Sequence, residues 1–154
     1  MTLIKIIIVT LVLAVAITYY SLHKNNANLF EAPGVIERLQ IFLKTNSAKT
    51  SPDHQLKELR TPQFKMNSDE LYKRVLRVAA DLGWEVLTFD RENQNASFVS
   101  YSDVFLFEDD IYIQVQYLDQ KLSSLHVESH SRTGRADFAA NSGHIQTLIS
   151  KLGQ

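Results

Sequence analysis

The sequence predicts an α+β fold: a two-layer sandwich of an antiparallel four-stranded sheet with two helices, behind an N-terminal transmembrane helix. Three observations support this fold. An apolar segment begins at residue 3, two later stretches place apolar residues at helical spacing, and four strand-like stretches lie between those two. Strands joined by turns of a few residues pair antiparallel. Two helices that each have one apolar face can then cover one side of such a sheet.

The N-terminal segment 3–22 reads LIKIIIVTLVLAVAITYYSL. Twenty helical residues extend about 30 Å, which is the hydrocarbon thickness of a bilayer. Lys5 lies near the start, and Tyr19 and Tyr20 lie at the end, where aromatic side chains favour the membrane interface. We expect a retained single-pass helix with the domain outside the cytoplasm. The alternative is a signal peptide: the letters AVA before Ile17 fit a cleavage pattern, and cleavage near Ala16 would release a secreted protein.

The composition excludes several classes of protein and site. The 154 residues carry a net charge of −1, so overall charge gives no attraction to nucleic acid, and we expect no nucleic-acid partner. The chain has no cysteine, which excludes disulfides and thiolate metal sites. Residues 44–77 include eight basic and four acidic residues, whereas residues 81–119 include one basic and nine acidic ones. We interpret this as a basic helix and an acidic surface of one domain; two separate partner sites are the alternative.

Residues 1–24 are therefore assigned to the anchor, and residues 25–55 to a linker with a short amphipathic helix. The linker begins with the polar residues 25–32, and Pro33-Gly34 can start the helix. Its apolar side chains share one helical face: Val35, Ile36, Leu39, Phe42 and Leu43. The helix either lies on the bilayer or docks on the domain. We expect the domain, cut near Asn46, to fold alone.

Residues 56–154 are expected to form the α+β domain. Its first helix is predicted from Asn67 to Gly83, because Asn67 suits the N-cap, Glu70 follows three residues later, and glycine suits the C-terminal end. The strands are predicted at residues 84–90, 96–101, 104–118 and 122–132, the third interrupted at residues 108–110. The second helix is predicted from about Asp137 to Leu152, where apolar residues recur at helical spacing.

Several short motifs occur in a characteristic order along residues 56–152. They are Arg60-Thr61-Pro62 with Phe64, Leu82-Gly83-Trp84, Phe107-Glu108-Asp109-Asp110-Ile111, and Ser129-His130-Ser131-Arg132-Thr133-Gly134-Arg135 with Asp137 and Asn141. This succession resembles the bacterial and plastid family called domain of unknown function 1499. The resemblance implies a fold and a class of protein but no chemistry. With a retained anchor and the domain outside the cytoplasm, we expect the bacterial inner membrane, with the domain in the periplasm. The chain departs from the family pattern at Ala139, where glycine is usual, and at His144, where arginine is usual. It also lacks the cysteines that often precede the domain.

The best site candidate lies between the last strand and the last helix. Its predicted ligand-binding residues are Ser131, Arg132, Gly134, Arg135, Asp137 and Asn141. Two guanidinium groups near a helix N-terminus can hold a carboxylate or phosphate. The alternative is structural: Asp137 caps the helix, and an arginine pairs with acidic residues of the sheet.

Two other patterns contain residue types that can bind a metal ion. Glu108, Asp109 and Asp110 can ligate a hard cation, but consecutive acids more often form a solvated turn. His126 and His130 flank Glu128 on one strand face, but they stand about 13 Å apart along a strand, too far to share a zinc ion. We therefore expect no metal site and no cofactor.

Two functions remain open. The first is a membrane-anchored, non-catalytic envelope domain that binds a partner protein or a small anionic ligand; no catalytic motif of a known class occurs. The second is a hydrolase that uses Asp109, Asp110, His130 and Asp137. Convergence of these four side chains on one pocket would distinguish the two functions.

Overall fold

The computed structural model describes residues 2–102 and 106–153 and has an α+β fold. Within these residues it contains four α-helices and one six-stranded sheet. The elements in chain order are α1 (Thr2–Lys24), α2 (Val35–Lys44), β1 (Ser47–Lys49), a 3₁₀ turn (Lys57–Leu59), β2 (Gln63–Phe64), α3 (Ser68–Asp81), β3 (Glu85–Asp90), β4 (Asn95–Tyr101), β5 (Glu108–Asp119), β6 (Leu122–Ser131) and α4 (Ala140–Leu152).

The sheet is antiparallel, with strand order β1-β6-β5-β4-β3. Both short strands pair with β6: β1 lies opposite residues 128–130, and β2 lies opposite residues 123–124. The long hairpin of β5 and β6 is therefore central, and β3 forms the edge away from β1.

The sheet differs in detail from the predicted four strands and two helices. The additional strands β1 and β2 are two or three residues long, too short to show an alternating pattern. The acidic residues 108–110 form the start of β5 and not a turn. Of the predicted start of the third strand, residues 104–105 lie outside the described residues, and residues 106–107 precede β5.

The core lies between one face of the sheet and the helices α3 and α4. The helices contribute Leu71, Val75, Ala79, Ile145, Leu148 and Leu152, and the two central strands contribute Ile111, Ile113, Leu125 and Val127. The predicted start of α3 is confirmed, because the Asn67 side chain accepts a hydrogen bond from the Glu70 amide at 2.8 Å. Gly83 follows α3 with a left-handed φ of 75°, which favours glycine there.

The short amphipathic helix α2 docks on the domain. Phe42 is buried in the core and Leu39 packs against it, but Ile36 and Leu43 are exposed on another side of the helix, so the predicted single apolar face is wrong in part. The buried side also includes the side chain of Arg38, which is 0% exposed. Of the two placements left open by the sequence, the structure therefore has the docked one.

Helix α1 is long and apolar enough to cross a membrane; its apolar window is not covered by the described residues, whereas Leu22 in its last turn is buried in the core. A signal sequence near an N-terminus shares these features. The chain that follows, residues 25–32, is called here the exit segment. It packs on α4: the Asn25 side chain donates to the Phe138 carbonyl at 2.9 Å, and the Gln146 side chain donates to the Asn26 carbonyl at 3.2 Å.

Candidate functional site

A buried polar cluster lies where α4 crosses the ends of β5 and β6. It consists of four buried residues and two half-buried ones: Asp109, Ser129, Ser131 and Asn141, with Asp137 and His144. Asn141 is at its centre and is fully buried. Its amide oxygen accepts from the Ser129 hydroxyl at 2.5 Å, and its amide nitrogen donates to Ser131 at 2.9 Å and to Asp137 at 2.7 Å. One side chain thus joins the last strand to the start of α4.

Asp137 occupies the N-terminal end of α4. Its carboxylate accepts hydrogen bonds from the amides of Ala139 at 3.1 Å and Asn141 at 3.0 Å. Burial raises the pKa of Asp137, although these hydrogen bonds act in the opposite direction. Helix α4 begins at Ala140, three residues later than predicted, because Ala139 has a left-handed φ of 68°. A bound anion would have to displace a carboxylate that is already in place.

Asp109 and His144 form the second part of the buried polar cluster. Asp109 faces the helices because it alternates with the core residues Ile111 and Ile113 along β5. Its carboxylate lies 3.0 Å from Nε2 of His144, and the imidazole ring contacts Trp84 edge to face, with centroids 5.9 Å apart. His144 therefore gives a buried carboxylate a partner, a role that arginine can also fill.

The opposite face of the sheet carries a different set of polar residues. Arg132 donates to both carboxylate oxygens of Asp110, at 2.9 and 2.7 Å, and also pairs with Glu108. This ion-pair group borders a shallow depression of about 440 Å³, called here the outer groove. Its lining also includes Leu87, Tyr112, Glu128 and His130. The helices α3 and α4 lie on the other side, so the outer groove is open to solvent.

The six predicted ligand-binding residues do not converge on one site. Ser131, Asp137 and Asn141 belong to the buried polar cluster, whereas Arg132 points to the outer groove. Gly134 and Arg135 lie in the exposed loop before α4, where the Gly134 carbonyl accepts from Asn46 at 3.0 Å. Arg135 has no hydrogen bond or ion pair with any residue that the structure describes. The observed Asp137 cap and Arg132 ion pairs therefore agree with the alternative given above, in which these residues have structural roles.

The four residues of the hydrolase hypothesis are also separated. Asp109 and Asp137 lie on the helix side of the sheet, whereas Asp110 and His130 lie on the outer side, opposite each other in the strand register. The imidazole of His126 contacts Glu128 at 3.0 Å and Thr50 at 3.2 Å, so both of its ring nitrogens are engaged. Among residues 2–102 and 106–153, no group of three or more acidic or histidine side chains could hold a metal ion.

Sequence reasoning missed the pairing of His144 with Asp109 and the contribution of Ser129. The alternation of Asp109 with Ile111 and Ile113 was a usable signal, because residues two apart on a strand share one face. The partner of Asp109 lies 35 residues away and has no local signature.

Comparison with known proteins gives a family but no activity. The family model described as "Protein of unknown function (DUF1499)" matches residues 33–152. The matched region includes α2, the whole sheet, the buried polar cluster and the outer groove. No curated protein matches the chain.

Proposed function

Because this chain belongs to the DUF1499 family, whose description names no reaction, its function has to be argued from the site; we propose that it is a membrane-anchored, non-catalytic domain that binds an envelope protein through the outer groove. The proposed location is the bacterial inner membrane, with α1 retained and the domain in the periplasm. The observation that carries the proposal is the open, charged outer face of the sheet.

Membrane anchorage is supported by the length and exposure of α1. A charge at the centre of a spanning helix costs about 2.5–3.5 kcal/mol on the insertion scale. Leu13→Arg should therefore weaken membrane retention in cell fractions washed with alkaline carbonate, whereas Leu125→Arg should unfold the domain without releasing it. N-terminal sequencing is the decisive control, since a soluble product that begins at Ile17 would identify a signal peptide.

The outer groove is proposed as the binding surface because its polar groups face solvent, whereas those of the buried polar cluster are satisfied internally. Among the described residues, no buried side-chain nitrogen or oxygen lacks a hydrogen-bond partner. Charge then favours one class of partner. Among the residues that line the groove, Asp110 and Glu128 outnumber Arg132, whose guanidinium is already held by two carboxylates. A protein that presents basic side chains fits this surface better than a small anion.

Site-specific photo-crosslinking in intact cells tests the binding surface. A photoreactive residue at His130 should give a crosslink to one defined envelope protein, and the same residue at Lys73, on the exposed side of α3, should not. Glu128→Lys should reduce the His130 crosslink, because it reverses a charge without touching the core. Equal crosslinking from both positions, or a yield that Glu128→Lys leaves unchanged, would contradict the proposed surface.

A further inference from the structure

The exposed residues next to the end of α1 point to a second interaction surface. We propose that the domain rests directly on the lipid bilayer through an apolar patch of Phe30, Ile36 and Leu43, called here the seating patch. This inference rests on the proposed retention of α1 in the membrane. It adds a lipid surface to a domain whose outer groove is assigned to a protein partner.

The first support is that the residues directly after α1 are bonded to the domain and do not form a flexible linker. Asn25, the residue after α1, is bonded to Phe138, and Asn28 lies 3.4 Å from the Gln146 side chain. A Cβ atom added to Gly143 would lie 3.0 Å from the Asn25 carbonyl oxygen, a tight contact that glycine avoids, so glycine at this position favours the close approach of the two backbones. The domain is therefore fixed to the end of the helix within one residue.

Arg38 holds the rest of the exit segment. Its guanidinium donates to the carbonyls of Ala27 at 3.1 Å and Ala32 at 2.7 Å, and it pairs with Glu58 at 2.5 Å. The other end of α2 is also near the end of α1, because Phe138 accepts from the Asn25 side chain at 2.9 Å and donates its amide to the Phe42 carbonyl at 3.2 Å. Phe30 is part of the exit segment itself. The whole seating patch is thus confined to the anchor side of the domain.

The second support is the exposure of these apolar side chains. Phe30 is 88% exposed and Ile36 is 69% exposed. Ile36 and Leu43 are seven residues apart and share one face of α2, on the side away from the buried Phe42. A phenyl ring and branched side chains in this position gain free energy by entering the interfacial region of a bilayer. Phe30 lines one depression together with Tyr19, at the end of the apolar surface of α1, and this proximity to the proposed span favours lipid over a protein as the occupant.

Lipid quenching of single-cysteine probes tests the inference on the full chain in phosphatidylcholine nanodiscs. The chain has no native cysteine, so each introduced cysteine gives one environment-sensitive fluorophore. Test positions are Phe30→Cys and Ile36→Cys, and Leu13→Cys reports insertion of α1. Controls are Tyr117→Cys and Phe89→Cys, whose native side chains are 62% and 68% exposed. Tyr117 pairs with Ser123, about 27 Å along β6 from Ser131 and the anchor side.

Nitroxide groups placed near the lipid headgroups should quench probes 30 and 36 several-fold more than probes 117 and 89. If nitroxides in the bilayer interior quench probe 13 while probes 30 and 36 behave like the controls, the seating patch is refuted and the proposed membrane anchorage by α1 is retained. If probe 13 is not quenched, α1 does not insert, and the proposed anchorage fails with the seating patch. A blue shift at probes 30 and 36 without quenching would show a protein neighbour instead of lipid, and would also overturn the inference.

Discussion

Replacement of Arg38 by methionine should destabilise the protein more than any change on its surface. Methionine keeps much of the side-chain volume of arginine but removes the charge and every donor. Arg38 is fully buried, and Glu58, its ion-pair partner, is only 12% exposed at the side chain. The substitution would leave the Glu58 carboxylate without its cation and would release the exit segment from α2.

The expected size of the effect follows from these contacts. Removal of one partner of a buried ion pair costs about 3–5 kcal/mol, because the remaining charge is uncompensated. The carbonyls of Ala27, Glu31 and Ala32 also lose their donor, although water can reach part of this segment. We therefore expect Arg38→Met to lower the free energy of unfolding by about 4 kcal/mol, a large part of the 5–15 kcal/mol typical of a domain.

Denaturant unfolding in mild detergent measures this loss. The single tryptophan, Trp84, is buried, so its fluorescence reports on the core. Lys44→Met on the same helix is the matched control for an exposed cation, and it should change stability by less than about 0.5 kcal/mol. Arg38→Met combined with Glu58→Leu should recover part of the loss, because the uncompensated carboxylate is then gone. A loss below about 1 kcal/mol for Arg38→Met alone would refute the reasoning.

Three further predictions concern the buried polar cluster and the domain boundary. Asp137→Asn replaces a group whose pKa is raised in the folded state by one that does not titrate. The stability of the native protein relative to this variant should be greatest below pH 3.8 and should fall as pH rises through the raised pKa, as measured by denaturation curves at several pH values. His144→Ala should cost about 1–3 kcal/mol by leaving the buried Asp109 without its partner, whereas His144→Arg should keep most of the stability, as compared by thermal unfolding. A fragment that begins at Asn46 lacks α2 and Phe42 and should lose near-ultraviolet dichroism, contrary to the expectation from sequence, whereas a fragment that begins at Ser21 retains Leu22 and Phe42 and should keep it.

The regular elements were predictable because each has a strong internal period. The apolar stripe of α3, its Asn67 cap and the alternation along β6 were all confirmed by the structure. The strands β1 and β2 were missed because they exist only through pairing with β6, which is distant in sequence. The acids at the start of β5 were mistaken for a turn because three consecutive charges are typical of one, whereas pairing with Arg132 stabilises them within a strand.

The candidate site was only partly predictable for a similar reason. Proximity in sequence grouped Ser131 with Arg132, but adjacent residues of a strand point to opposite faces, and this separates them. The burial of Arg38 had no sequence signal, because its ligands are backbone carbonyls of the exit segment. Polar networks that depend on main-chain atoms are invisible to side-chain patterns.

The close joint between α1 and α4 affects how a partner would find the outer groove. A domain on a flexible linker explores a volume whose radius grows as about 5–6 Å times the square root of the linker length. Here the Asn25–Gly143 approach removes that freedom, so a spanning α1 would hold the outer groove at one height and one tilt above the lipid. A partner diffusing in the same membrane then meets the groove in two dimensions. Because folding has already fixed the orientation of the domain, binding loses less orientational entropy. The distance of a partner's basic segment from the membrane would then determine selectivity. Proteins whose basic segment lies at the height of the groove could bind, and proteins that carry it at another height could not.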